Sequence, residues 1–197
     1  MQPIERVIRV TTDREADDDR RSLAYWLSRT PAERVRHVED LRRQWSRSLG
    51  FDGSPPRRRE LLESFNSRKV EYVVVGGDAV AHHGAPRFTG DIDLLVRPTQ
   101  ENAARVLDTL AAFGFGSLDI TTADLTEPGR VIQRGNGPWR IDLLTRLAGT
   151  TWEEVWTHAV DGAFEVPTKV IGLQQLKSNK RALGRPRDLD DLARLGG

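Results

Sequence analysis

The sequence predicts an α/β (α+β) protein, a mixed sheet flanked by helices, and three observations carry that expectation. β-Branched runs such as Tyr72-Val73-Val74-Val75 read as buried strands. Stretches such as Val35, Val38, Leu41 and Trp45 place apolar residues at helical spacing. Glycine-bearing segments such as Gly114-Phe115-Gly116 separate the two kinds of run.

Taken in order, Ile4 to Val10 alternates apolar and polar residues like a short strand. A helix over 14–28 follows, with Asp13 as its cap. Thr30-Pro31-Ala32-Glu33 then gives a capping-box start: Thr at the cap, Pro at the first helical position and Glu three residues on. On that helix Arg34, Arg36, Arg42, Arg43 and Arg47 fill the surface left by the apolar stripe. They read as a solvated face with charge pairing; the sharper readings are a phosphate-binding face for RNA or a face that docks on the rest of the chain. Residues 60–69 read as a helix leading into the Tyr72 strand. Further strands are expected at Asp91–Val96, Arg130–Gln133, Trp139–Leu144 and Phe164–Val170. Helices are expected at Gln100–Phe113, Leu173–Leu183 and Asp188–Leu195. Trp152 and Trp156, four residues apart, mark one apolar helix face.

The prolines and charge run at Ser54-Pro55-Pro56-Arg57-Arg58-Arg59 suggest a linker. Residues 1–59 hold fourteen arginines and no lysine. The expected division is an Arg-rich N-terminal accessory segment at 1–55, a strand and helices, and a second unit at 56–197. A formal net charge of +1 on 197 residues provides no global field for nucleic acid or membrane. The absence of cysteine excludes disulfides, thiolate metal sites and a cysteine nucleophile. No apolar run approaches the roughly 20 residues that span a bilayer, and MQPIERVIRV lacks a signal-peptide core. The expectation is a cytoplasmic protein with no membrane partner.

The chemistry-bearing stretch is VGGDAVAHHGAPRFTGDIDLLV, residues 75–96. A strand ends at Gly76-Gly77 and a short helix runs through Asp78–His83, so backbone comes close to a ligand with no Cβ between them. Phosphate is the natural occupant of such a helix start. Asp91 and Asp93, two apart on a strand, point to one face while Ile92 points to the core. Two such carboxylates repel unless a cation sits between them, and divalent magnesium suits their oxygen donors. Asp142, in Arg140-Ile141-Asp142-Leu143-Leu144, repeats the pattern. If its strand lies beside the first, three carboxylates converge, a constellation able to hold two metal ions (Mg²⁺, or Mn²⁺ in its place). Arg87 and Thr89, on the loop before the acid pair, either contact phosphate or shape the loop. His82 and His83 are adjacent on a helix, and no zinc site is expected from them alone. Asp188 and Asp191 read as local partners of nearby arginines, and the five tryptophans as core or interface residues.

These motifs resemble the DNA polymerase β-type nucleotidyltransferase superfamily: a Gly-Gly pair, a spacer at 78–90, an acid-x-acid strand and a later third acid. Over residues 60–197 the chain is most similar to minimal nucleotidyltransferases grouped with the abortive-infection (AbiEii-type) toxins, whose closing helix pair LKSNKRALGRPRDLDDLARL resembles. The resemblance implies a nucleotidyltransferase fold and transfer of a nucleoside monophosphate from an NTP, with release of pyrophosphate. It implies metal binding by Asp91, Asp93 and Asp142, with Asp142 also assisting deprotonation of the attacking hydroxyl. Gly76 and Gly77 would cradle the triphosphate, and Lys180 would reach its phosphates. It further implies an RNA acceptor, tRNA in particular, and a toxin–antitoxin setting with an antitoxin or regulatory partner. Two rivals stay open: transfer to a small antibiotic, and a non-catalytic binding or regulatory module on the same fold.

Overall fold

A computed structural model describes residues 22–48, 58–113, 120–134, 140–164 and 166–196. The expected strand at Ile4–Val10 and the turn at Gly114–Gly116 lie outside the described residues. Helical residues 22–27 form α1, the described part of the helix expected over 14–28. The rest run α2 (Pro31–Ser48), α3 (Arg58–Ser67), β1 (Tyr72–Val74), α4 (Gly76–His82), β2 (Asp91–Val96), α5 (Gln100–Ala112) and α6 (Thr122–Thr126). Then come β3 (Val131–Arg134), β4 (Arg140–Leu144), α7 (Trp152–Thr157), β5 (Val160–Ala163), β6 (Pro167–Val170), α8 (Leu173–Leu183) and α9 (Pro186–Arg194).

Among the described residues the sheet has six strands in the order β3-β4-β2-β1-β6-β5. β2 pairs parallel with β4 and antiparallel with β1; β1 pairs parallel with β6. The two edge strands, β3 and β5, each pair antiparallel with their neighbour. The expected α/β class therefore holds, with helices packed on a mixed open sheet.

The sheet stands because its middle is apolar on both sides. Val73 and Val74 of β1, Leu94 of β2 and Leu143 of β4 are fully buried. Leu61, Leu62 and Phe65 come in from α3, Val106 and Leu110 from α5, and Leu176 from α8. Each such side chain stabilises the fold by about 1.5–3 kcal/mol relative to exposure. The helix starts carry their own local signals. At α2 the Thr30 backbone and hydroxyl donate to Glu33, and the Glu33 N–H donates back to Thr30 Oγ1 at 3.2 Å. The same reciprocal box opens α7 at Thr151 and Glu154, where Trp152 and Trp156 stack with ring centroids 5.3 Å apart. No helix among the described residues is long and apolar enough to cross a membrane.

Three local expectations change. The run expected as one strand over Phe164–Val170 is instead the second half of a hairpin, with β5 and β6 antiparallel. Phe164 and Val166 are buried at 5% and 7% exposure, so they anchor the turn into the core rather than lengthening a strand. The short helix α6 adds to the elements expected from sequence, and Thr121 and Asp124 form a capping box at its start. The arginines of α2 also divide: Arg36, Arg43 and Arg47 are exposed, but Arg34 and Arg42 are 8% and 2% exposed. Arg34 Nη1 donates to the His82 carbonyl at 2.6 Å, and the buried face of α2 mixes Arg34 and Arg42 with Val35 and Val38.

Candidate functional site

The site is built where β1 hands over to α4 beside the paired strands β2 and β4. Register places Asp93 opposite Asp142 and Asp91 opposite Arg140. Asp91 and Asp93 therefore share a sheet face with Asp142. Ile92 and Ile141 alternate with them and are buried, at 4% and 8% exposure. β2 is an interior strand between β4 and β1, so the acid pair does not sit on an exposed edge.

Gly76 closes the site from the other side. Its φ is +62°, a left-handed backbone that L side chains rarely adopt. A Cβ built there would fall on the Asp93 carboxylate. Gly77 is equally confined: its Cβ would lie 2.9 Å from Thr89 Oγ1. The glycine pair thus admits bare backbone against Asp93 and Thr89. The Val75 N–H donates to the Asp93 carbonyl at 3.0 Å and fixes that approach.

The three acids differ in their partners. The Thr89 hydroxyl donates to Asp91 Oδ1. Arg140 Nη2 donates to Asp91 Oδ2 at 2.6 Å and to Asp142 Oδ2 at 3.0 Å, and Arg140 Nε donates to Asp142 Oδ1 at 2.8 Å. Gln133 Nε2 also donates to Asp142 Oδ2, at 3.1 Å. Asp93 accepts no hydrogen bond from any described side chain. Burial, then the neighbouring carboxylates Asp91, Asp142 and Asp78, push its carboxyl up to about 7; Lys180 opposes this only weakly.

Lys180 and Arg87 are brought to the same end of the sheet but are held by acids of α9. Lys180 Nζ lies 2.8 Å from both Asp188 Oδ1 and Asp191 Oδ2. Arg87 grips Asp191 bidentately, at 2.6 and 2.7 Å. Arg185 Nε donates to Asp188 at 2.6 Å. Burial pushes Asp191 up, but Arg87 and Lys180 outweigh it and keep its carboxyl below the usual range. The local pairing expected for Asp188 is present, whereas Asp191 reaches a partner 104 residues away.

A second buried network supports the loop. Arg42 Nη2 donates to Asp78 Oδ2 at 3.0 Å and to the Asp91 carbonyl at 2.8 Å, and its Nε donates to the Thr89 carbonyl at 2.6 Å. Arg58 adds a second guanidinium 2.9 Å from Asp78 Oδ2. Sequence reasoning misses Asp78, Arg42, Gln133 and Arg140 as members of the site. Only Arg140 has a readable signal, because it lies two residues before Asp142 on a strand and so on the same face.

Among the described residues, no three acidic or histidine side chains stand arranged to hold a metal ion as they are. The Arg140 fork instead donates to oxygens of Asp91 and Asp142. The donor chemistry nevertheless fits a hard divalent cation, since all the donors are carboxylate oxygens and Asp93 is without a close counter-charge. No family model and no curated protein matches the sequence.

Proposed function

We propose that the protein is a metal-dependent nucleotidyltransferase that transfers a nucleoside monophosphate from an NTP to an acceptor hydroxyl. The observation that supports this reading most strongly is the register of Asp93 against Asp142, with Asp91 two residues earlier and bare Gly76 backbone against the Asp93 carboxylate. A half-buried acid with mainly other acids for close company is costly unless a ligand supplies positive charge. In a structural brace the acids would be matched by cations, as they are around Asp188 and Asp191.

In this reading Asp91, Asp93 and Asp142 hold the metal ions, Mg²⁺ or Mn²⁺. When bound, the metal neutralises charge on the triphosphate and on the attacking and leaving oxygens. Gly76 and Gly77 would meet the triphosphate through their backbone, their missing Cβ atoms making room for Asp93 and Thr89. The acceptor oxygen bonds to the α-phosphorus, the bond from that phosphorus to the β-bridging oxygen breaks, and pyrophosphate leaves. A carboxylate oxygen of Asp142 takes the acceptor proton. Arg87 and Lys180 stand beside the acids, their charge largely matched by Asp188 and Asp191. RNA is the acceptor class that the sequence resemblance favours, in a toxin–antitoxin setting.

The test is transfer from α-labelled NTPs, each in turn, with Mg²⁺ and total RNA, comparing wild type with Asp93→Asn. Label in RNA with wild type only is the expected result. Label on a small antibiotic but not on RNA would move the acceptor class. Absence of both transfer and NTP binding would sink the reading and favour a binding module.

A further inference from the structure

Arg140 stands where its charge is least expected in a site meant for a cation. Three carboxylates provide six oxygens. Both oxygens of Asp91 and both of Asp142 already accept a hydrogen bond, from Thr89, Arg140 or Gln133. Only the Asp93 oxygens lack a donor among the described residues. The guanidinium charge held against Asp91 and Asp142 therefore competes directly with any divalent ion drawn to the three acids. The guanidinium is also a partner able to leave. Its side chain is 38% exposed, against 7% for Asp142 and 24% for Asp91. On release it meets water rather than a dry core. Its planar fork fits phosphate oxygens as well as it fits carboxylates.

Resting on the nucleotidyltransferase reading, we infer that Arg140 is a built-in counter-ion: it holds Asp91 and Asp142 together in the metal-free protein, yields them to the entering divalent cation, and then pairs with the phosphates of the bound nucleotide. One side chain thereby couples metal entry to nucleotide binding. Without metal it suppresses repulsion within the acid cluster. With metal it becomes a triphosphate-positioning residue at the mouth of the site.

Mn²⁺ affinity of the full chain, read by electron paramagnetic resonance of the free ion, separates the possibilities. Wild type, Arg140→Gln, Arg140→Lys and Asp93→Asn are each titrated with and without α,β-methylene-ATP. Without nucleotide, Arg140→Gln should bind Mn²⁺ about tenfold more tightly than wild type, because no internal cation competes. Its metal-free Tm should fall. The lysine variant keeps the charge without the fork and should lie between the two. The nucleotide analogue should tighten Mn²⁺ binding more in wild type than in Arg140→Gln. Unchanged or weaker Mn²⁺ binding in folded Arg140→Gln, with normal binding by wild type, overturns the Arg140 inference alone. If Arg140→Gln does not fold, Arg140→Lys takes its place, and Mn²⁺ binding no tighter than wild type overturns the inference in the same way. No Mn²⁺ binding by wild type, with or without nucleotide, overturns the nucleotidyltransferase reading along with it.

Discussion

Asp78, buried, and Asp93, half-buried, lie on either side of the same glycine pair, and they behave in opposite ways. Burial pushes both carboxyls up. At Asp78, Arg42 and Arg58 outweigh burial and hold the group below its ordinary range. At Asp93 the neighbours are Asp91, Asp142 and Asp78 itself, and the group rises from 3.8 to about 7. Burial therefore does not distinguish a brace from a site; the sign of the surrounding charge does. A matched acid fixes two elements together. In the proposed reading, an unmatched one holds a position for a cation.

This contrast can be broken by exchanging charge at each position. Asp78→Asn should cost about 3–5 kcal/mol in urea unfolding, because two guanidiniums then lose their buried counter-charge. Arg43→Ala, an exposed change on the same helix α2, should stay within about 0.5 kcal/mol. Equal losses from the two would show that the Arg42–Asp78–Arg58 contact is not what docks α2. Asp93→Asn should do the reverse, lowering nucleotide transfer by at least about a hundredfold while leaving folding stability at pH 8 equal to or above wild type. A variant that is both inactive and unstable would place Asp93 among the braces.

Gly76→Ala tests the shared junction. The left-handed backbone alone should cost about 1–2 kcal/mol, and the new Cβ must displace the Asp93 carboxylate. Transfer should suffer more than stability, since the displaced group belongs to the site; calorimetric Tm and transfer rate on one preparation compare the two.

The last contrast is in pH. Folded Asp93 binds its proton more tightly than the unfolded chain does. Its favourable contribution is complete below about 3.8 and is lost as pH rises through about 7. The metal-free protein should therefore lose stability across that window. Asp93→Asn and saturating Mg²⁺ should each flatten the slope, and Asp78→Asn should reduce it only in part, by removing one of the carboxylates that push Asp93 up. A slope unchanged by Asp93→Asn would assign the titration to another group.

Local signals explain why much of this is legible in the sequence. The capping box at Thr30, the β-branched run at Tyr72 and the Asp91-Ile92-Asp93 alternation act over two to four residues, so the chain announces them directly. The hairpin of β5 and β6 is hidden because Phe164 and Val166 look the same in a strand as in a buried turn. Which arginines of α2 are buried is hidden likewise: Arg42 and Arg43 differ only in which side of the helix meets α4.

By itself the sequence determined the α/β class, the strand that carries Asp91 and Asp93, the similar strand of Asp142 and the glycine junction before them. Each follows from periodicity or from backbone preference. Tertiary structure alone decided that Asp142 lies in register with Asp93, that Arg42 and Arg58 satisfy Asp78, that Arg87 and Lys180 are held by Asp188 and Asp191, and that Arg140 reaches across to Asp91. Most of these are charge pairings between segments tens of residues apart. Coulomb energy depends on distance and surroundings, and neither exists until the sheet has brought the strands together.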